Sequence, residues 1–308
     1  NMKKNINIIV ALIMGLSLIL YGCGKKLERR ETVTFTDFAD RQVKIPKTVQ
    51  RIVSMAPNVT EMLFAIGLGN EIVGVTEFCN YPESAKSKTK IGGYYNPNIE
   101  VILSLKPDLI VATPDGYSKE RIDKLDQSGI PVFIVNPLKI DDAMESMLVL
   151  GKITGKEAYS KLVVDGLKAR IKVVKDKVAQ VPTQKRPKVF YEIGQNPLVT
   201  VGSNNFVDDL ITTAGGINIA SDAPNSWPIY SVEAIITKNP DIILTAPSTM
   251  TASDKMIADE WSKYRTISAV MNKRIYAIDP DILLRSGPRV ADGLEKLYTI
   301  FYQTVIKK

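Results

Sequence analysis

The chain has 308 residues, of which 45% are hydrophobic and 24% charged, and this composition is typical of a folded globular protein, not a disordered one. Its formal net charge of +7 is spread along the sequence without a basic stripe between aromatic residues, so nucleic-acid binding is not expected. The chain contains no histidine, which excludes a Ser-His-Asp or Cys-His nucleophile and the commonest ligand of zinc.

The amino terminus has the pattern of an export signal. Two lysines precede an uncharged, mostly apolar run that is too short for a comfortable membrane-spanning helix and ends in the residues LYGC, at Cys23. This ending resembles the lipobox of bacterial lipoproteins, in which the cysteine is lipidated and becomes the first mature residue. We therefore predict a signal peptide over residues 1–22 and a lipidated Cys23 followed by a charged tether to residue 33. The alternative is a plain signal peptide with a chance cysteine.

Short apolar strands alternate with helices through the first half of the mature chain. A helix capped by Asn58 or Thr60 is predicted to end at Gly67 and Gly69, and a polar helix is predicted over residues 118–129. β-branched runs separated by helical stretches indicate a mostly parallel sheet covered on both faces. The predicted strands are 51–55, 71–76, 108–113 and 130–135.

The second half follows the same plan. Ser203 is predicted to cap a helix that ends at Gly215 and Gly216, and a further helical stretch is expected around residues 253–271. The predicted strands are 188–193, 241–246 and 274–279. The sequence therefore predicts an α/β fold with two lobes, each built on a mostly parallel sheet.

One helix-to-strand unit occurs in both halves. The segment IEVILSLKPDLIVA (99–112) matches VEAIITKNPDIILT (232–245), 133 positions later. With Asn98 and Ser231 as N-caps, Glu100 and Glu233 both occupy the second helical position. Each carboxylate is expected to stabilise the positive end of its helix, but helix capping alone does not explain why both lobes use the same position.

A long helix is predicted between the lobes, over residues 154–182. Thr154 and Glu157 have capping-box spacing, and Pro182 ends the segment. One apolar stripe is formed by Val163, Leu167, Ile171, Val174 and Val178. Such a helix would hold the lobes at a nearly fixed separation. The predicted domains are an amino-terminal lobe (34–152), the linking helix (153–181) and a carboxy-terminal lobe (182–308).

The sequence offers no catalytic set. Neither a GxGxxG motif after a strand nor a GxxxxGK[ST] motif is present, so no nucleotide cofactor is expected. The acidic pairs Asp141-Asp142 and Asp208-Asp209 have spacing that points the side chains apart on a helix. We predict a binding protein without enzymatic activity, resident metal or cofactor.

The chain resembles the substrate-binding lipoproteins of ABC importers for cobalamin and iron-siderophore compounds, and within that class the cobalamin-binding proteins. The resemblance covers about residues 34 to 305 and is most specific in RIVSMAPNVTEMLFAIG, NIEVILSLKPDLIVA, SWPIYSVEAIITKNPDIIL and RSGPRV. It implies two Rossmann-like lobes joined by one backbone helix, as in class III periplasmic binding proteins. It also implies a monomer, lipid-anchored outside the cytoplasm on the periplasmic side or cell surface, that delivers a corrinoid to an ABC permease dimer with its ATPase subunits.

The same resemblance suggests roles for individual residues. Glu100 and Glu233 match the glutamates that dock on the two permease subunits. The positions matching ligand contacts in the cleft between the lobes are Phe78, Tyr81, Tyr94, Trp227 and Arg285. Arg285 is expected to pair with a phosphate or carboxylate.

Alternatives remain for the ligand. Thr113 and Ile193 stand where relatives carry further aromatic residues, which thins the aromatic lining. A ferric siderophore or haem is the second hypothesis, with Tyr94, Tyr95 or Tyr117 as iron ligands in the absence of histidine. Cys79, beside the cleft, is interpreted as a buried inert thiol in preference to a cobalt or iron ligand. An extracytoplasmic α/β enzyme is the third hypothesis.

Overall fold

Two parallel sheets form the framework of the protein in a computed structural model that describes residues 31–114, 119–195, 197–246 and 260–306. The strand order in the first sheet is β5 (Thr89–Lys90), β4 (Ile72–Val75), β3 (Ile52–Ser54), β6 (Leu109–Ala112) and β7 (Val132–Ile134). The order in the second sheet is β11 (Ile217–Asn218), β8 (Lys188–Glu192), β12 (Ile242–Thr245) and β13 (Ile275–Ala277). Neighbouring strands in both sheets are parallel. The predicted α/β fold class with mostly parallel sheets is therefore confirmed. The predicted signal peptide (1–22) and Cys23 lie outside the described residues.

The first-sheet part of the chain covers residues 32–138. It opens with a two-stranded sheet that the sequence analysis did not predict, β1 and β2. Its strands are β1 (Thr32–Thr36), β2 (Gln42–Pro46), β3 (Ile52–Ser54), β4 (Ile72–Val75), β5 (Thr89–Lys90), β6 (Leu109–Ala112) and β7 (Val132–Ile134). Its helices are α1 (Pro57–Ala65), α2 (Ile99–Ser104) and α3 (Lys119–Gln127), with a 3-10 turn at Glu83–Ser87.

Helices α4 (Ile140–Ile153) and α5 (Glu157–Ala179) follow. The second-sheet part, residues 182–306, begins with a 3-10 turn at Thr183–Lys185. Its strands are β8 (Lys188–Glu192), β9 (Gly194–Gln195), β10 (Leu198–Val199), β11 (Ile217–Asn218), β12 (Ile242–Thr245) and β13 (Ile275–Ala277), of which β9 and β10 form an antiparallel pair. Its helices are α6 (Phe206–Thr213), α7 (Val232–Lys238), α8 (Ser268–Met271), α9 (Pro280–Leu284) and α10 (Val290–Ile306). Residues 253–259 of the predicted helical stretch at 253–271 lie outside the described residues, and in the described remainder turns separate residues 260–261 from α8.

The repeated helix-to-strand unit is present in both parts. α2 leads into β6 and α7 into β12, and the equivalent residues Lys106 and Asn239 both turn the chain with φ of 47°. The aspartate that follows each proline has a structural role: the Asp108 carboxylate accepts the backbone N–H groups of Gln50 and Arg51, and that of Asp241 accepts the N–H of Lys188. Each Pro-Asp pair therefore joins its strand to the start of the neighbouring strand, because an unpaired backbone donor would be costly there.

Three predicted helix starts are wrong. Pro57 stands at the first position of α1, where its fixed φ favours helix entry, and the N-cap Ala56 makes no side-chain cap. Asn205 caps α6 in place of Ser203, since its side chain accepts the N–H groups of Val207 and Asp208. Thr154 ends the preceding helix α4 and donates to the carbonyl of Leu150, so α5 begins only at Glu157.

The linking helix α5 has 23 residues, about 35 Å of helix. It is packed along its length against α4, α6 and α10, and one hydrophobic core continues through it into both parts of the chain. Its buried residues are Ser160, Val164, Leu167, Ile171, Val174 and Val178, so Val164 takes the place predicted for Val163. From Val33 onward the described residues form a single compact unit, and the predicted lobe boundaries remain a prediction.

Candidate ligand-binding site

A cavity of about 800 Å³ is lined by both parts of the chain. The first-sheet part contributes Pro57, Asn58, Phe78, Tyr94, Tyr95 and Thr113, followed by Asn136, Pro137 and Leu138. The second-sheet part contributes Ile193, Val199, Trp227, Asp281, Leu284, Arg285 and Ser286. This volume is within the range of small-molecule sites.

Strand topology explains why these residues meet. Thr113 and Ile193 directly follow β6 and β8, Asn136 lies two residues after β7, and Pro57 lies three residues after β3. The carboxyl ends of parallel strands lie at one edge of a sheet, where α/β folds place their ligand sites. The cavity is thus formed where the carboxyl edges of the two sheets face each other.

Tyr94 is held in the cavity wall by its hydroxyl. That oxygen lies 2.8 Å from Thr113 Oγ1, and the ring contacts Tyr95 edge to face, with 4.9 Å between ring centroids. Thr113 therefore orients an aromatic residue of the cavity wall. Tyr95 is 67% exposed and lines the same cavity.

Trp227 lines the cavity from the second-sheet part, on a loop that is hydrogen-bonded on both sides of the tryptophan. The carbonyl of Ser226 accepts from the N–H of Gly202 and from Asn205 Nδ2, and the carbonyl of Pro228 accepts from the N–H of Thr200. The indole is 49% exposed. A half-exposed ring on a loop that is already fixed suits stacking on a flat ligand. The loop does not have to become ordered on binding, so less of the binding free energy is lost.

Phe78 and Arg285 also line the cavity, and they contact each other. Phe78 is 58% exposed, and its carbonyl accepts from Arg285 Nη2 at 3.2 Å. The guanidinium of Arg285 further contacts Glu61 Oε1 at 3.0 Å, Asn80 Oδ1 at 2.6 Å and Asp281 Oδ2 at 2.7 Å. Arg285 therefore lies in the wall with four protein oxygens around it. The sequence analysis predicted that its guanidinium pairs with a phosphate or carboxylate of the ligand, and that pairing remains a prediction.

Tyr81 is not among the cavity-lining residues in the described part of the chain. Its ring lies under the guanidinium of Arg289, with 4.5 Å between the guanidinium carbon and the ring centroid. Four of the five predicted ligand residues therefore line one cavity. The fifth, Tyr81, lies outside its lining in a cation–π contact with Arg289.

The charge of the cavity wall is balanced. Among the described lining residues the only charged side chains are Asp281 and Arg285, and these form an ion pair with each other. The remaining polar lining is neutral and consists of Asn58, Tyr94, Tyr95, Thr113, Asn136, Trp227 and Ser286. The wall can offer hydrogen bonds to amides and aromatic faces to a flat ring, without an uncompensated charge.

Two carboxylates lie near the cavity without lining it. Burial raises the pKa of the Glu192 carboxyl, which precedes Ile193 and accepts from Trp261 Nε1 at 2.7 Å. Glu61 is fully buried in α1 and bound by two arginines. Sequence reasoning missed Glu61 and Asn136, although Asn136 follows a predicted strand, and it named Tyr95 only as a candidate iron ligand.

Cys79 is buried beside the cavity but does not line it. Its sulfur lies 3.1 Å from the hydroxyls of both Thr60 and Thr76. The described residues contain no cluster of three or more side chains suited to a metal ion. Tyr117, named as an iron-ligand candidate, lies outside the described residues.

Glu100 and Glu233 occupy matching, exposed positions in the two parts. Asn98 accepts from the N–H of Val101, and Ser231 accepts from the N–H of Ala234, so both predicted N-caps are confirmed. Each glutamate therefore stands at the second position of its short helix with its side chain exposed to solvent.

A cavity between the carboxyl edges of two parallel sheets is the place where α/β folds bind small molecules. The family model for periplasmic binding proteins matches residues 52–282, and the chain belongs to this family. It is therefore a binding protein and not an enzyme, of the class of ABC-transporter substrate-binding proteins that includes cobalamin, haem and siderophore binders. No helix in the described part is long and apolar enough to span a bilayer.

Several relatives are similar along nearly their whole length. An ABC transporter substrate-binding lipoprotein of Bacillus subtilis, itself described as uncharacterized, is 32% identical over all of both chains. The crystal structure of the periplasmic vitamin B12 binding protein of Vibrio cholerae has a TM-score of 0.75 at 27% identity and covers 85% of this chain and 100% of that one. The periplasmic haem-binding protein RhuT of Roseiflexus has a TM-score of 0.73 at 28% identity, covering 82% and 98%.

Proposed function

We propose that this protein is a lipid-anchored receptor that captures a corrinoid, cobalamin or a close relative, in the cavity between the two sheets and delivers it to an ABC permease. The proposal rests on one observation: the cavity combines aromatic faces and neutral hydrogen-bonding groups with no uncompensated charge among its described lining residues.

A corrinoid has the chemistry that such a wall would recognise. Its ring is broad and flat, its edge carries amide arms, and its phosphate is offset by the charge on cobalt. Trp227 and Tyr94 lie in different parts of the wall and can contact the ring faces. Asn58, Asn136 and Ser286 can exchange hydrogen bonds with the amide arms.

Anionic ligands fit less well. The two carboxylates of haem, or a ferric siderophore of net negative charge, would enter a cavity whose one cation among the described lining residues is Arg285. This arginine is already paired with Glu61 and Asp281. Burying a charge without a partner is costly. The vitamin B12 binding protein of Vibrio cholerae supports the corrinoid proposal by its overall similarity.

Haem is the second candidate because of Tyr95. Its ring is exposed within the cavity, and a phenolate can replace histidine as a haem-iron ligand. The similarity to a haem-binding relative supports this candidate at the level of the fold.

We further propose that Glu100 and Glu233 contact basic residues on the two subunits of the permease. Their matched exposed positions and the linking helix α5 support this, because two equivalent subunits need two equivalent contacts at a fixed spacing. The receptor works as a monomer outside the cytoplasm, tethered through Cys23, with the ATPase subunits on the other side of the membrane. The similarity to a Bacillus subtilis lipoprotein supports the anchor.

Calorimetric titration tests the ligand. The full chain carrying Cys23→Ser, purified in detergent, is titrated with cyanocobalamin, cobinamide, haemin and a panel of ferric siderophores. We expect tight binding of the corrinoids and weak or no binding of the anionic ligands. Tight binding of haemin or a siderophore without a corrinoid response would refute the corrinoid proposal and leave the solute-binding class intact.

A further inference from the structure

A buried ion-pair cluster joins the two parts of the chain beside the cavity. Glu61, in the middle of α1, has a side chain that is 0% exposed. Its carboxylate accepts from Arg289 Nε at 2.8 Å, Arg289 Nη2 at 2.7 Å and Arg285 Nη1 at 3.0 Å. Both arginines belong to the second-sheet part, and Arg289 is 228 positions from Glu61.

A second set of contacts surrounds this pair. Asn80 accepts from Arg285 at 2.6 Å and donates to Asp281 Oδ2 at 3.2 Å. Asn58 Nδ2 donates to Ser286 Oγ at 3.1 Å. Each of these bonds joins the first-sheet part to the segment 281–289. We call Glu61, Asn80, Asp281, Arg285 and Arg289 the clasp.

The clasp is electrically balanced, with two carboxylates and two guanidiniums. Arg285 and Arg289 are nearly buried, with 11% and 13% of their side chains exposed, and the Tyr81 ring covers Arg289. Removing one carboxylate would leave two shielded cations with a single remaining acid. Breaking one member of a buried ion pair is far more damaging than breaking an exposed pair.

We propose that the clasp holds the two walls of the cavity at their binding distance before any ligand arrives. Glu61 and Arg289 are positioning residues in this scheme. Arg285 and Asp281 line the cavity, and Arg285 contacts the backbone of Phe78, so the spacing of the walls follows from the clasp geometry. The inference builds on the proposed binding site, but it concerns the ligand-free protein and holds for any ligand of this cavity.

Distance measurements between spin labels test the proposal. The labels are placed at the exposed, equivalent positions 104 and 237 by Ser104→Cys and Thr237→Cys in the full chain with Cys23→Ser, in detergent; Cys79 is buried and stays unlabelled. Pulsed dipolar spectroscopy without ligand is expected to give one narrow distance distribution. Glu61→Gln is expected to broaden it or shift it by several ångströms.

Glu295→Gln is the matched control. The Glu295 carboxylate accepts from Arg170 Nε at 2.9 Å and Nη2 at 2.7 Å, but on an exposed surface formed by α5 and α10. This variant is expected to keep the wild-type distribution. An unchanged distribution in a Glu61→Gln variant that melts cooperatively would overturn the proposal.

Two further measurements keep the test decisive if Glu61→Gln does not fold. Arg289→Met removes two of the three bonds to Glu61 and leaves the one from Arg285, so a smaller broadening is expected; a folded variant with the wild-type distribution would count against the clasp. A broad ligand-free distribution in the wild type that narrows only when cyanocobalamin is added would also overturn it. Because the readout needs no ligand, failure of corrinoid binding would leave this result unaffected.

Discussion

Truncation of Trp227 is the sharpest test of the proposed ligand contacts. The residue is 49% exposed in the ligand-free cavity, which leaves about 120 Å² of a tryptophan surface of roughly 250 Å² for a ligand to cover. At about 25 cal/mol per Å², the loss of this contact corresponds to about 3 kcal/mol. Trp227→Ala is therefore expected to weaken corrinoid binding up to about a hundredfold.

The neighbouring Ile229 provides the control. It is 70% exposed but does not line the cavity among the described residues, so Ile229→Ala should leave the dissociation constant within about twofold. Both variants are titrated with cobinamide and cyanocobalamin by calorimetry, and their melting temperatures are compared with that of the wild type. A Trp227→Ala variant that binds within threefold of wild type would refute the stacking role.

Two further predictions concern transport and pH. Glu100→Ala combined with Glu233→Ala should keep corrinoid affinity and abolish uptake in a transport assay, whereas the exposed-site control Glu145→Ala should transport normally; normal uptake by the double variant would contradict docking. Burial raises the pKa of the Glu192 carboxyl in the folded protein. The stability that protonated Glu192 contributes is therefore fully present below the ordinary glutamate pKa of about 4.3, and it is lost as the pH rises through the folded-state pKa. Glu192→Gln should therefore raise the melting temperature at pH 8, by roughly 2–4 °C for each kcal/mol gained in the free energy of unfolding. This gain should vanish towards pH 4. A gain that does not depend on pH would contradict this explanation.

The sequence predicted most of the framework because its signals are local. Short β-branched runs identified the main parallel strands, and the repeated unit at 99–112 and 232–245 is present with matching left-handed residues at Lys106 and Asn239. Helix starts were less predictable, since Asn205 and Ser203 are both good caps and only tertiary packing chooses between them.

The site was only partly predictable for a physical reason. The resemblance to a family predicted Tyr94 and Trp227. The neutral charge of the cavity wall, in contrast, depends on which acidic side chains pair with Arg285, and this is set by the tertiary structure. Glu61 reads as an ordinary helix residue, and nothing near it in the sequence indicates a contact with Arg289, 228 positions away. Tyr81 was predicted to contact the ligand from the resemblance, and its contact with Arg289 could not be predicted because the two residues are also far apart in the chain.

The most direct test of the central claim is a crystal structure of the protein grown with cobinamide, with data collected at the cobalt absorption edge. We predict one strong anomalous peak inside the cavity, beside the rings of Tyr94 and Trp227. A crystal in which cobalt is bound only outside this cavity, or not at all at saturating cobinamide, would contradict the account.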